Sequence, residues 1–247
     1  MDSISNHVSR ITGSDAGRRP RRAEPAAPHL VIPPAGPVSV SHVADALRRA
    51  IVTGSLKPAA RLSEAALEAE FGAGRDTVRD ALLALEGRGL VTHEPRRGWR
   101  VRAHDEASIR QVYALRGLLE RHAVAGLMES EADLDGLIAA LTAANTAMEK
   151  KRAAGDAEGY LKANEHFHAL FLRHAPNEPL RLAIELLNDM AAPLRLARLT
   201  ADLAGSTAVE EHGAIIEMLG AGDVDAAVDA MHDHILGNAD ATVAAAL

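Results

Sequence analysis

From residue 105 onward, apolar residues recur at helical spacing, and the interruptions are short: "GD" at 155–156, "APNEP" at 175–179, "AGS" at 204–206 and "AGD" at 221–223. No segment here alternates apolar and polar residues strongly enough for a strand. The pattern predicts helices over 106–128, 131–154, 157–174, 178–203, 207–220 and 223–244. Together they make an all-α bundle of about six helices, spanning residues 105–244. Aromatic residues are only 2% of the chain, so the cores must be built from Leu, Ala, Val and Ile. Abundant Ala and Leu favour helix over strand. No internal repeat of fixed period is present.

Residues 39–103 follow a different plan: three helices and then two short strands. Ser41 is placed to cap a first helix ending near Val52, before Gly54 and Pro58. Ser63 opens a second, which stops near Phe71–Gly72, and a third runs from about Arg75 to Arg88. "GLVTHEPRRGWRVRA" then supplies two apolar-edged segments around a turn containing Pro95 and Gly98, a hairpin candidate. The expected fold class is therefore mainly α, a winged helix-turn-helix followed by the all-α bundle. Residues 1–38 hold 6 of the 11 prolines and four arginines within "GRRPRR", and read as a disordered arm.

The net charge of −7 conceals a division. Residues 1–38 carry +2, residues 39–103 carry +3 and residues 104–247 carry −12. A mildly basic module can meet phosphates while an acidic one stays away from them. The absence of cysteine excludes disulfides and thiolate metal sites and fits a reducing cytoplasm. No run of about 18 apolar residues suggests a membrane span, and no secretory signal is visible at the N-terminus.

In the third helix, Val78, Ala81, Leu82 and Leu85 follow i, i+3, i+4, i+7 and form the buried stripe. Arg75 and Arg79 lie one turn apart near its N-terminus. A recognition helix leads into the major groove with such residues, and Arg takes guanine bidentately or grips phosphate. Asp76 and Asp80 work against phosphate binding, and the periodicity alone fits a solvated helix as well. Arg96 and Arg97, with Gly98 at the hairpin tip, stand where a wing meets DNA; an arginine pair in a turn is also ordinary exposed charge.

The stretch "IVTGSLKPAARLSEAALEAEFGAGRDTVRDALLALEGRGLV", with the later "RRGWRV", closely resembles the DNA-binding domain of the GntR family of bacterial transcription regulators. The resemblance spans roughly residues 43–102 and fixes many positions at once. It implies DNA contacts from Arg61, Arg75 and Arg79, with Gly98 at the wing; Thr77 on the same helix and Arg96 and Arg97 in the hairpin complete the candidate DNA-binding set. Gly74 departs from the usual small hydroxyl residue, Thr77 replaces a frequent proline, and Asp80 shortens the usual glutamate.

In the helical region, several polar residues share stripes with apolar ones. Asn164 and His168 lie with Tyr160, Phe167 and Phe171; His212 lies with Val209, Ile216 and Leu219. Buried imidazoles need partners, and three His can hold zinc with one position open. Equally, each could bond a nearby group separately. His232 and His234 flank the Val228–Met231–Ile235 stripe on opposite sides, and spacing does not choose between them. Arg116, i+7 from Ile109 and i+4 from Val112, faces inward and needs an anion. Glu120, one turn on, or a ligand carboxylate would serve. Arg195 is a weaker candidate, since Arg195 and Arg198 could both be solvated.

"YALRGLLE" (113–120), "NEHFHALFLRHAPNEPL" (164–180) and "EEHGAIIEMLGAGDVDAAVDAMHDHI" (210–235) resemble the FCD ligand-binding domain of the FadR-like GntR subfamily, over about residues 105–240. The resemblance implies a metal set of Asn164, His168, His212 and His234, holding zinc or nickel, both of which suit imidazole. Asn164 stands where an aspartate is often found, and its neutral amide compensates less charge. It also implies a homodimer on a near-palindromic operator. A small carboxylate effector would be held by Arg116, with Arg195, beside the metal. The expected function is a ligand-responsive regulator, most often a repressor, and not an enzyme. The rivals are a metalloenzyme acting on a small organic acid and a sensor of the metal alone. Against the enzyme, Glu165 and Glu211 adjoin the ligands in sequence but sit about 100° round their helices, leaving no obvious general base.

Overall fold

The computed structural model describes residues 38–129, 133–174 and 177–246; the proposed arm lies outside them, apart from Val38. Three helices open the fold: α1 (Val40–Val52), α2 (Glu64–Phe71) and α3 (Arg75–Gly87). The short strand β1 (Arg61–Leu62) precedes α2, and β2 (Val91–Glu94) and β3 (Gly98–Val101) follow α3. The strands form one antiparallel sheet in the order β1-β3-β2, with Leu62 opposite Trp99 and His93 also opposite Trp99. This is a winged helix-turn-helix. Its core gathers Val43, Leu47, Phe71, Val78, Leu82 and Trp99.

Two local expectations are corrected. The cap of α1 is Ser39, whose side chain accepts from the His42 amide, so the helix starts two residues earlier than a Ser41 cap would allow. β1 is absent from the sequence reading because two residues carry no alternation; they become a strand only through pairing with β3. Ser63 caps α2 through the Ala66 amide, as its position predicts. Gly74 caps α3 without any side-chain hydrogen bond.

The remainder is helical: α4 (Glu106–Ala125), a 3-10 turn (Gly126–Glu129), α5 (Leu134–Ala153), α6 (Ala157–His174), α7 (Glu178–Ala201), α8 (Ala208–Gly220) and α9 (Val224–Ala246). The long α4 packs along α9, α5 along α6, and α8 against α5 and α9. Asp105, Asp133 and Asn177 cap α4, α5 and α7 with side-chain oxygens, satisfying amides that the helices leave open. The bundle core is largely aliphatic, with Tyr113, Tyr160, Phe167 and Phe171 as its aromatic members.

The winged helix leans on α7. Gly89 has φ +71°, and a Cβ there would stand 2.7 Å from Met190 Cγ, so glycine serves both the turn and the close approach. Buried Asp189 meets two arginines of the head: Arg48 Nε donates to Oδ1 at 2.8 Å, and Arg88 Nη1 lies 3.3 Å from Oδ2.

Candidate DNA-reading face and metal centre

α3 places Arg75, Asp76, Arg79 and Asp80 outward and buries Val78, Ala81, Leu82 and Leu85. Thr77 is half-buried beside them. Arg79 has no ion pair or hydrogen bond among the described residues, which leaves its five donors available to a ligand. Arg75 is held more firmly: its Nε lies 3.5 Å from Glu64 Oε2, while Glu64 Oε1 accepts from Trp99 Nε1 at 2.9 Å. Glu64 therefore ties the reading helix to the wing strand. Arg61, on β1, is exposed and sits opposite Arg100 on β3.

At the wing, the Arg97 amide donates to the Glu94 carbonyl at 3.0 Å, closing a turn with Pro95 and Arg96 at its centre. Arg96 has φ +66° and Gly98 φ +81°. Glycine tolerates that region, but arginine there costs about 1–2 kcal/mol. The wing thus keeps an exposed cation at a position where glycine would be easier. Arg97 is 3.6 Å from Glu94 and otherwise open to solvent.

In the bundle, His168 on α6, His212 on α8 and His234 on α9 converge, with nitrogens all within 4.8 Å of one another. All three are buried. His212 Nε2 and His234 Nε2 face each other at 3.2 Å, and His168 Nε2 has no hydrogen-bond partner. The opposite nitrogens are braced: His168 Nδ1 lies 2.5 Å from Glu120 Oε2, off the line of a hydrogen bond, and His234 Nδ1 lies 2.5 Å from Glu211 Oε2. His212 stacks on Phe167, ring centroids 3.7 Å apart and nearly parallel. Inward imidazoles with carboxylates behind them are the pattern of a metal-binding cluster, because the carboxylate fixes the ring and raises its basicity. The orphaned His168 Nε2 and the apposed nitrogens fit a divalent ion. Asn164, on the same stripe of α6, lines a cavity with His168 and His234. His232 is half-buried and abuts Gly117; of the two C-terminal histidines it is His234 that converges with His168 and His212.

Burial disfavours the charged form of two of these rings. It pushes the His168 imidazole down to about 4 against the opposing pull of Glu120, and holds His212 well below the usual range, with the neighbouring histidines adding to the effect. Burial alone would raise the Glu120 carboxyl, but its close contact with His168 and the charge of Arg116 more than offset it and hold Glu120 well below the usual carboxylate range. Neutral imidazole is the form that binds metal.

Arg116 is buried and donates to Glu120 Oε1 at 2.8 Å, the one-turn partner, yet its Nε has no partner. Arg195, read from sequence as the weaker candidate, is buried too. It bonds Glu165 at 3.0 Å and leaves Nε and Nη1 unpartnered. Burial and the nearby Arg116 depress its guanidinium below the ordinary value. Both line a cavity with Tyr113, Tyr160, Asn164 and His168. The cavity is small, ≈ 20 Å³, about the room of one water or one ion. Glu211 and Glu165 do sit off the ligand stripe of their own helices, as spacing requires. They are used across helix boundaries, by His234 and Arg195, which spacing within one helix cannot reveal.

No helix among the described residues is long and apolar enough to cross a membrane. Two family models match: "Bacterial regulatory proteins, gntR family" over residues 39–101 and "FCD domain" over residues 111–237. The chain is 30% identical over 172 residues to the HTH-type transcriptional regulator YdhC of Bacillus subtilis, covering 69% of this chain and 76% of that one. It is 27% identical over 202 residues to a probable D-xylose utilization operon transcriptional repressor of Paenarthrobacter nicotinovorans, covering 82% and 88%. In fold it is similar to a GntR regulator of Rhodococcus sp. RHA1, with TM-score 0.69, 24% identity and 83% and 98% coverage. It is likewise similar to McbR/YncC of E. coli, with TM-score 0.65, 22% identity and 81% and 95% coverage. With two family models, a 30% identical HTH-type regulator and a winged helix joined to an FCD bundle, the chain belongs to the GntR family of DNA-binding bacterial regulators.

Proposed function

We propose that this regulator is a homodimeric repressor of a near-palindromic operator, released by a small carboxylate that binds beside a metal in the helical bundle. Arg79 and Arg75 read base edges from the first turn of α3, Arg61 and Thr77 flank them, and Arg96 and Arg97 reach the backbone or minor groove from the wing. Exposed Leu115 and Leu118 on α4 and Leu182 and Leu186 on α7 supply apolar surface for a second copy to cover. The observation that carries the effector reading is the pair of buried arginines with unfilled donors, Nε of Arg116 and Nε and Nη1 of Arg195. A buried donor without a partner costs about 1–3 kcal/mol, more when charged, and a carboxylate would satisfy them.

His168, His212, His234 and Asn164 would hold the metal, zinc or nickel by ligand type. The ion would supply Lewis acidity toward one carboxylate oxygen. Arg116 and Arg195 orient the rest of the anion, Glu120 and Glu211 fix two of the histidine rings, and Phe167 keeps water from His212. Because the cavity has room for little more than an ion, the acid requires the helices to part, and that displacement is what a ligand needs if it is to favour a second state. The same tightness favours a second reading, a sensor of the metal alone. Titration calorimetry of zinc- and nickel-loaded protein against a panel of mono- and dicarboxylates separates them. One saturating acid, weakened at least tenfold by Arg195→Gln, is expected; no acid binding at all would leave the metal-only sensor.

A further inference from the structure

A second cavity lies where the winged helix meets α7, and none of its lining residues lines the cavity beside the histidines. Its walls are apolar: Ile51, Leu56 and Leu90 from the head, and Met190, Pro193 and Leu194 from α7. It measures about 210 Å³, an order of magnitude roomier than the metal cavity. One side is cationic. Arg102 lines it, with a buried Nε that has no hydrogen-bond partner, and its guanidinium forms no ion pair among the described residues. Exposed Lys57 stands at the mouth. His104, also in the wall, is kept neutral by burial first and by the Arg102 charge second, and its Nδ1 is engaged by Ser108 Oγ at 2.7 Å. The unmet charge is therefore that of Arg102. An apolar chamber with unpaired Arg102 in its wall and Lys57 at its mouth suits an acid with a hydrocarbon body better than a small polar one.

We infer that this chamber is a second ligand site, taking a compact apolar acid whose hydrocarbon body lies against Leu90, Met190 and Leu194 and whose anion pairs with Arg102. The inference is independent of the metal-centre effector, since no residue is shared. A ligand there touches the head and α7 at once, so its binding is linked to their relative placement.

The test uses the full chain with the fluorescent probe 1-anilinonaphthalene-8-sulfonate, an apolar anion, and octanoate and 1-octanol as competitors. Saturable enhancement at one probe per chain is expected, displaced by octanoate and at least tenfold less well by octanol. Ala197→Trp, which fills the chamber from an exposed position on α7, should abolish it. Arg102→Gln, which removes only the charge, should weaken octanoate about tenfold with an unchanged thermal midpoint. Metal-site variant Asn164→Ala should leave probe binding intact. Unsaturable enhancement, equal displacement by octanol, or binding that survives both Ala197→Trp and Arg102→Gln would overturn the inference.

Discussion

Single residues in this protein are held by opposing demands. Gly74 caps α3 with φ −70° and ψ 156°, a conformation open to any residue, and a Cβ there meets nothing within 4 Å. Gly74→Ser should therefore restore the missing cap and reduce the freedom of the unfolded chain, adding about 0.5–1 kcal/mol. Thermal melts should show a rise of a few degrees; no rise would mean the serine hydroxyl finds no amide. His168 shows the reverse economy. Its imidazole titrates near 4 in the fold against an ordinary 6.5, so between those values the unfolded chain binds a proton that the fold refuses. Stability of metal-free protein should be fully present above pH 6.5 and fall as pH drops toward 4, with His212 adding in the same direction. A melting temperature flat from pH 7 to pH 5 would contradict this. The inward aim of His168 was legible, because it shares a stripe with Phe167 and Phe171. The roles of Glu120 toward His168 and of Glu211 toward His234 were not, because they depend on which helices become neighbours.

At the level of elements, α7 has the most varied duties. It presents Arg195 to the cavity beside the histidines, and somewhat under two turns earlier it presents Asp189 to Arg48 of α1 and Arg88 at the end of α3. A ligand that moves Arg195 thus pulls on the element that grips the head. Asp189→Asn keeps the shape and removes the charge shared by two arginines. A charged hydrogen bond contributes about 1.5–3 kcal/mol, so the change should cost roughly that in stability and blunt any effector response of operator affinity. A fluorescence-polarisation titration that shows an unaltered response would separate Asp189 from the coupling. The bundle helices were readable within a few residues because "GD", "AGS" and "AGD" are local breakers. β1 was not, since its two residues are a strand only by virtue of β3, and the lean of the head on α7 rests on the Gly89–Met190 approach, which no local pattern encodes.

As a whole, the molecule separates a basic reader from an acidic bundle, and the two are joined through α7. If the histidine cluster holds a metal, then chelator treatment should lower the thermal midpoint and metal return should restore it, because an ion bound only by the fold stabilises by mass action. His168→Ala should abolish both the metal content and the chelator effect; a chelator effect that persists in the variant would place the ion elsewhere. The most direct test of the regulatory account is selection of genomic DNA fragments by the purified protein at about 0.15 M salt, where non-specific phosphate binding is weakened, with Arg79→Ala in parallel. Enrichment of one near-palindromic site, lost in the variant because a good base contact is worth about 1–3 kcal/mol, is the expected result. Equal enrichment by both proteins, or no enrichment by folded, metal-loaded protein, would contradict it.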